Sequence, residues 1–263
     1  MELDQQALYH ISSDSILTRL KPDIPDLNVF CFDTVDSTND EAKRRFRTGL
    51  KNTSLFFSDT QTNGRGRRGR SFYSPSATGI YLSLLYPLTE GQSGFLSFTS
   101  KAAVAVCRAL NSVYSVSPKI KWVNDILLDG KKIAGILCEY VTDTESGGSA
   151  VVIGIGINLS TEIFPEAISD TAGSVGNRSV PREIITAAVA KELIMLLNDS
   201  GSSYLDEYRA LSLVIGRHIA YERNGQVFTG KAVSIDSDAA LVVLRDDGRT
   251  DVLNTGEITV RTA

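Results

Sequence analysis

The chain has 263 residues, 42% apolar and 22% charged, with a formal net charge of −4 and a pI near 5.3. That balance suits one large globular domain, or a medium domain with a small companion, and excludes a protein built to coat nucleic acid. No apolar run approaches the roughly 20 residues that would cross a bilayer. The opening Met1-Glu2-Leu3-Asp4-Gln5-Gln6 is acidic and polar, unlike a secretory signal. Cys31, Cys107 and Cys138 are odd in number, far apart and set in apolar stretches, so they read as buried, reduced thiols of a cytoplasmic protein. His10 and His218 are too few and too separated for a zinc site. The glycosylation-type triplets at Asn52, Asn158 and Asn177 carry no meaning without a secretory signal.

Residues 1–27 offer one helix before the helix-stopping Pro22-Asp23-Ile24-Pro25 and are read as an extension. Asn28–Asp33 reads as a strand. Thr38, followed three residues later by Glu41, forms a capping-box pattern, which predicts a helix to about Arg47 that stops at Gly49. Ser54–Asp59 and Gly79–Tyr86 are strands, and the apolar spacing from Leu96 to Val113 predicts a buried helix over Ser97–Ser112. Strands follow at Lys119–Val123 and Ile126–Leu128, with Asp129-Gly130 turning the chain into Lys132–Tyr140. After the flexible Ser146-Gly147-Gly148-Ser149, the unbroken apolar run Val151–Ile157 suits a central strand. Pro181 opens a helix to about Asn198, and Tyr204–Leu211 is the last helix. From Val214, hairpin signals at Asn224-Gly225, Ser237-Asp238 and Asp247-Gly248 predict a five- or six-strand barrel. The expected units are therefore 28–213 and 214–263.

Gly64-Arg65-Gly66-Arg67-Arg68-Gly69-Arg70 is the most informative stretch. Glycines let a backbone wrap closely, and guanidinium forks match carboxylate and phosphate oxygens. The glycine spacing fits the dinucleotide fingerprint and nearly fits a P-loop, but both need a helix next. Phe72-Tyr73-Ser74-Pro75-Ser76-Ala77-Thr78-Gly79 does not supply one. The loop reads instead as a site for a small, multiply charged anion. Fixing seven backbones costs on the order of 10 kcal/mol. Charge-assisted bonds return about 1.5–3 kcal/mol each, so the loop is expected to order over its ligand.

With this loop, four further blocks carry a resemblance. Asp36-Ser37-Thr38-Asn39 with Gln61, Lys121-Trp122-Val123-Asn124-Asp125, Lys132-Ile133-Ala134-Gly135-Ile136-Leu137 and Gly154-Ile155-Gly156-Ile157-Asn158-Leu159 come in order. Together they resemble the biotin protein ligases from about Val29 to the C-terminus. The resemblance implies an α+β fold: a mixed β-sheet with packed helices, related to class II aminoacyl-tRNA synthetase catalytic domains, then a small SH3-like barrel. It also implies the monofunctional type, without the family's N-terminal DNA-binding domain. Val123 departs from the family's Lys-Trp-Pro-Asn-Asp, and Phe72 stands where some members have Trp beside the adenine.

The implied reaction joins biotin to ATP as biotinyl-5′-AMP and then passes biotin to a lysine on a carboxylase's biotin carboxyl-carrier domain. Neither step needs an enzyme nucleophile, which agrees with a chain lacking any Ser–His or Cys–His pair. By resemblance, Arg67, Lys132 and Lys121 are catalytic. Ser37, Thr38, Asn39, Gln61, Gly64, Arg65, Arg67, Lys132 and Gly135 bind biotin. Arg65, Arg67, Arg70, Phe72, Asn124 and Asn158 bind ATP or the adenylate, and Asp125 is the candidate Mg²⁺ ligand. Arg68 is either a phosphate contact or a solvated residue, and Trp122 is read as core or wall. Arg261 stays unplaced and the oligomeric state, homodimer included, open. No nucleic-acid or membrane partner is expected. Two rivals are a lipoate or octanoate ligase on the same fold, whose serine- and glycine-rich block is missing, and a nucleic-acid-binding module, which the acidic pI disfavours.

Overall fold

The computed structural model describes residues 11–89, 94–143, 147–176 and 180–260. His10, Ser146, the Asn177-Arg178-Ser179 triplet and Arg261 lie outside them. The first part of the chain runs α1 (Ser13–Leu20), β1 (Asn28–Val35), α2 (Thr38–Arg47), β2 (Ser54–Gln61), β3 (Gly79–Pro87), α3 (Phe95–Tyr114), β4 (Lys119–Lys121) and β5 (Asp125–Leu128). It continues with β6 (Lys131–Thr142), β7 (Ser149–Asn158), the short α4 (Glu166–Ser169), α5 (Arg182–Asn198) and α6 (Ser203–Leu211). Five further strands follow: β8 (His218–Arg223), β9 (Gln226–Ile235), β10 (Leu241–Arg245), β11 (Thr250–Leu253) and β12 (Ile258–Val260).

Strands β1 to β7 form one seven-stranded mixed sheet in the order β1-β2-β3-β7-β6-β5-β4. Only the β1–β2 pair is parallel. The apolar run of β7 places it between β3 and β6, where both of its faces are covered. On one face Leu82, Leu84, Ile153 and Ile155 pack with α1, α3, α5 and α6 in the main core. On the other, Phe56, Leu85, Val141 and Val152 pack with Ala42 and Phe46 of α2 in a smaller core. Beyond this second core Gly135 of β6 and Gly154 and Gly156 of β7 leave room beside Leu137, and there the face opens into the site.

Local rules explain most turns. Asp129 and Gly130 take φ of 49° and 78°, and Asn224 and Gly225 take 53° and 76°. These are the positive angles that two-residue hairpin turns demand. The predicted capping box does not form. Ser37 is the N-cap, and its side chain makes no capping bond. The Thr38 hydroxyl donates to Gln61 Oε1 at 3.1 Å instead. The Glu41 carboxylate is taken by Arg44 and Arg45 at 2.7 and 2.8 Å. Asp36 stands in at this end of the helix, accepting the Ser37 N–H at 2.7 Å and both Arg44 Nη groups at 2.8 Å.

The last five strands form an antiparallel sheet in the order β11-β10-β9-β8-β12. Among the described residues its edges β11 and β12 do not pair, so the predicted barrel is present as an SH3-like sheet without a closed ladder. The sheet shares the main core with the helices. Trp122 is buried at this junction, its Nε1 donating to Ala239 O at 3.1 Å, which makes it a wall residue. Cys107 and Cys138 are buried, and burial pushes both thiols up to about 12. Cys31 is only partly covered, because β1 is an edge strand. His218 is exposed and pairs with Asp246 at 2.7 Å.

The Arg44 fork holds the Asp36 carboxyl down at about 2, from an ordinary 3.8. This stabilisation is complete above the unfolded value and disappears as pH falls through the folded one. The pair is half exposed, so its contribution at pH 7 is about 1 kcal/mol or less. Asp36→Asn should lower the melting temperature at pH 7 by a few degrees, and the gap to the parent should close between about pH 4 and pH 2 in a calorimetric series.

Candidate active site

The start of α2, the end of β2, the glycine–arginine loop and the middles of β6 and β7 enclose one cleft. Its volume is about 460 Å³, including space open to solvent. Gly135, Gly154 and Gly156 form part of its lining. Strand register sets Gly135 beside Gly156, and Leu137 beside Gly154, so these residues share a sheet face. A Cβ on Gly156 would strike the Phe72 ring, and one on Gly154 would strike Asn39 Oδ1. A Cβ on Gly135 would press on Lys132 Cε and Nζ at 3.2 Å. The glycines are thus the space in which an aromatic ring, an amide and a lysine reach the sheet. Phe72 lies on this floor with its edge toward Tyr81, ring centroids 6.4 Å apart.

The polar wall is a chain of hydrogen bonds. Gln61 Oε1 accepts from Thr38 N and Oγ1 at 2.9 and 3.1 Å. Gln61 Nε2 donates to Ser74 Oγ at 3.0 Å, and Ser74 Oγ donates to Phe72 O. Ser83 Oγ lies 2.7 Å from Thr38 Oγ1 and 2.6 Å from Asn39 Oδ1. Asn39 Nδ2 donates to Leu137 O and Glu139 Oε2 at 3.3 and 2.8 Å. Asn39 therefore spends its amide on the scaffold, although it was predicted to bind ligand. Ser37 Oγ is different: it faces the cleft and makes no hydrogen bond among the described residues.

The cationic wall is folded and compensated. Gly66 N–H donates to Arg70 O at 2.7 Å, Phe72 N–H donates to Gly64 O at 2.8 Å, and Arg67–Gly69 form one 3₁₀ turn. Arg68 and Gly69 take φ of 55° and 74°, the left-handed angles that let the turn reverse. Arg65 pairs with Asp40 at 2.7 Å, Arg70 with Glu257 at 2.7 Å, and Lys132 with Asp125 at 2.6 Å. Arg67 Nη1 donates at 2.9 Å to Asn124 Oδ1, a neutral partner. Burial pulls the Arg67 guanidinium below its ordinary value, and Asp125 and Glu257 partly offset this. Arg68 is exposed and makes no ion pair among the described residues. These carboxylates, distant in sequence, offset the repulsion among the loop's cations.

Of the predicted site residues, Ser37, Thr38, Asn39, Gln61 and Arg65 line the cleft. So do Arg67, Phe72, Asn124, Lys132 and Gly135. Gly64 is buried just behind, where a Cβ would collide with Phe72 O. Arg70 and Asp125 reach the cleft only through the loop and Lys132. Lys121 sits on β4 opposite Asp125, off the lining. Asn158 also lies off it, its Nδ2 donating at 3.0 Å to Gly173 O. That bond tethers the strap whose Thr171 and Gly173 pair with the Lys132 backbone. Lys132 holds Asp125 Oδ1, and no group of three His, Cys, Asp or Glu side chains gathers among the described residues, so a Mg²⁺ ion there would rest on this one carboxylate and on ligand phosphates. Sequence reading missed Ser83, Ser74, Asp40 and Glu139, and placed Gly154 and Gly156 in a resembling block without giving either a role of its own. The alternation Gly154-Ile155-Gly156-Ile157 could have flagged the two glycines, since period two clears one face of a strand.

The profile of the biotin/lipoate A/B protein ligase family matches residues 30–158, and that of the biotin protein ligase C-terminal domain matches residues 214–261. The biotin–acetyl-CoA-carboxylase ligase of Paracoccus denitrificans is 32% identical over 81% of this chain and 93% of its own length. The chain belongs to the biotin protein ligase family. The bifunctional ligase/repressor of Bacillus subtilis is 28% identical over 90% of this chain and 76% of its own length. The biotin protein ligase of Aquifex aeolicus, solved with biotin and ATP, superposes with a TM-score of 0.75 at 24% identity. It covers 90% of this chain and 99% of its own, a likeness of fold. The glycine floor and arginine loop of this family member thus lie on the shared catalytic scaffold.

Gly156→Ala should displace the Phe72 ring and cost about 1–3 kcal/mol of stability. Calorimetric titration should show weakened ligand uptake, and Gly69→Ala, where no atom lies within 4 Å of the added carbon, should leave the Phe72 contact intact.

Proposed function

We propose that the chain condenses biotin with ATP into biotinyl-5′-AMP and pyrophosphate, then passes the biotinyl group to a lysine on a carboxylase's biotin carboxyl-carrier domain. One observation carries the reading. A single cleft has a neutral hydrogen-bonding end at Ser37, Thr38 and Gln61, and a cationic end at Arg65, Arg67 and Lys132, on a floor opened by Gly135, Gly154 and Gly156. A largely apolar vitamin with a ureido head and a carboxylate tail suits that polarity.

In the first step the biotin carboxylate attacks the α-phosphorus and pyrophosphate departs. Two anions must meet, and cations fixed beforehand reduce that barrier. Arg67 is suited to bridge carboxylate and α-phosphate, because its only direct partner among the described residues is a neutral amide. Arg65, through its Nη groups, and Arg70, on leaving Glu257, face the other phosphate oxygens. Lys132, across the floor, donates to the acyl and phosphate oxygens in both steps. In the second step the acceptor lysine attacks the acyl carbon and AMP leaves with the bonding electrons, so no residue of this chain is acylated. Asn124 fixes Arg67 and also donates to Ile136 O at 3.0 Å, which assigns it to orientation. The Phe72 ring is the aromatic surface available to the adenine. The reading places the enzyme in the cytoplasm, where ATP is plentiful. Among the described residues no helix is long and apolar enough to cross a membrane. Nucleic acid is disfavoured because the arginines turn toward a cleft and toward carboxylates.

The test is exchange of labelled pyrophosphate into ATP. It should require biotin and should not proceed with lipoate; exchange without biotin would refute the reading. Lys132→Met should reduce the exchange rate by about a hundredfold or more. Arg67→Gly should release biotinyl-5′-AMP faster than the parent, measured as intermediate in the filtrate; an unchanged release rate would remove Arg67 from the bridge.

A further inference from the structure

Asp40 follows Asn39 on the first turn of α2, and nothing in the reaction above uses it. Its side chain is 15% exposed, and that of its neighbour Lys43 is 13% exposed. Asp40 Oδ2 meets Arg65 Nε at 2.7 Å and Asp40 Oδ1 meets Lys43 Nζ at 2.8 Å. Lys43 Nζ continues to Glu139 Oε1 at 2.9 Å, and Glu139 Oε2 accepts Asn39 Nδ2 at 2.8 Å. One relay therefore runs from the arginine at the cleft mouth to the amide under its polar end. The Asp40–Lys43 end is covered and therefore screened less by water, while the Arg65 side chain is 46% exposed at the cleft mouth.

We propose that Asp40 is a positioning residue for adenylate formation, acting through Arg65. The inference rests on the ligase reading above. A guanidinium is planar, so a carboxylate at Nε fixes its position and leaves the Nη groups for another ligand. Arg65 Nη1 and Nη2 have no partner among the described residues, and Arg65 lines the cleft. The first turn of α2 also supplies Ser37, Thr38 and Asn39 to the cleft. Asp40 thereby ties the placement of a phosphate-binding cation to the turn that forms the biotin end. Glu139 and Lys43 support it by balancing charge, which keeps Asp40 from being drawn away by Lys43 alone.

The experiment is biotin-dependent pyrophosphate exchange in the parent, Asp40→Asn, Asp40→Glu and Arg65→Ala proteins, with melting temperatures measured alongside. Asp40→Asn should raise the ATP KM about tenfold and change kcat by no more than about twofold, as expected for losing a charge-assisted contact. Asp40→Glu should recover most of that loss. In the Arg65→Ala background, Asp40→Asn should have no further effect on the ATP KM. An equal effect in that background, or a fall in kcat without a change in KM, would overturn the positioning role. So would an unchanged KM in Asp40→Asn. A parent with no biotin-dependent exchange would instead overturn the ligase reading itself and this inference with it. Should Asp40→Asn melt too low to assay, the Arg65→Ala and Asp40→Glu proteins still decide the matter: a normal ATP KM in Arg65→Ala overturns the proposal.

Discussion

The structure depends on holding several like charges beside a nearly bare sheet. Cations that must greet an anionic pair have to be in place before the anions arrive, because reorganising them during the reaction would raise its barrier. Left alone, they would repel one another and turn to water. The fold answers with counter-charges drawn from three places: Asp40 from α2, Asp125 from the β5 hairpin and Glu257 from the C-terminal segment. Among the cations that line the cleft, Arg67 is held by an amide and not by a carboxylate, so its charge is the least compensated by direct contact. A gradient of readiness follows, with the most buried guanidinium the most available to a ligand.

The bare sheet is the second half of the same arrangement. Central strands are usually apolar on both faces, and β7 follows that rule at Val151, Val152 and Ile153. It breaks the rule at Gly154 and Gly156, where the face turns from core to cleft. The missing side chains let α2 and the glycine–arginine loop approach the sheet closely. Asn39 and Phe72 then fill what the glycines leave. The cleft is therefore bounded by glycine backbone and the Phe72 ring on its floor and by hydrogen-bonded side chains on its wall.

The C-terminal sheet is part of this machinery through two contacts of different kinds. Trp122, inside the Lys121–Asp125 block, donates to the Ala239 carbonyl, and Arg209 donates to the carbonyls of Ile235 and Asp236. These buried bonds seat the sheet against the catalytic unit. Glu257 then reaches Arg70 across the surface. A motif that reads as catalytic in sequence thus has one residue given to domain seating, one to orienting Arg67 and one to pairing Lys132.

Much of the fold was legible in the sequence because it rests on local rules. Strand and helix spans follow hydrophobic period, and the Asp129-Gly130 and Asn224-Gly225 hairpins follow from residues that tolerate positive φ. The cationic loop announced an anion from composition alone, and ordered motifs brought Ser37, Gln61, Arg67 and Lys132 to one site. Long-range partners were hidden. Thr38 was expected to cap its helix and turned to Gln61, twenty-three residues away, because a buried hydroxyl satisfies a site amide better than an exposed helix end. Asn39 lines the cleft as expected, and its Nδ2 also holds Glu139, a hundred residues on, a partner no local pattern shows. Sequence by itself determined which side chains carry charge and where the backbone may bend, since those are properties of single residues and their neighbours. Only the tertiary structure decided which carboxylate faces which cation and which polar group stays free, because that depends on strand register and on which face of the sheet each element covers.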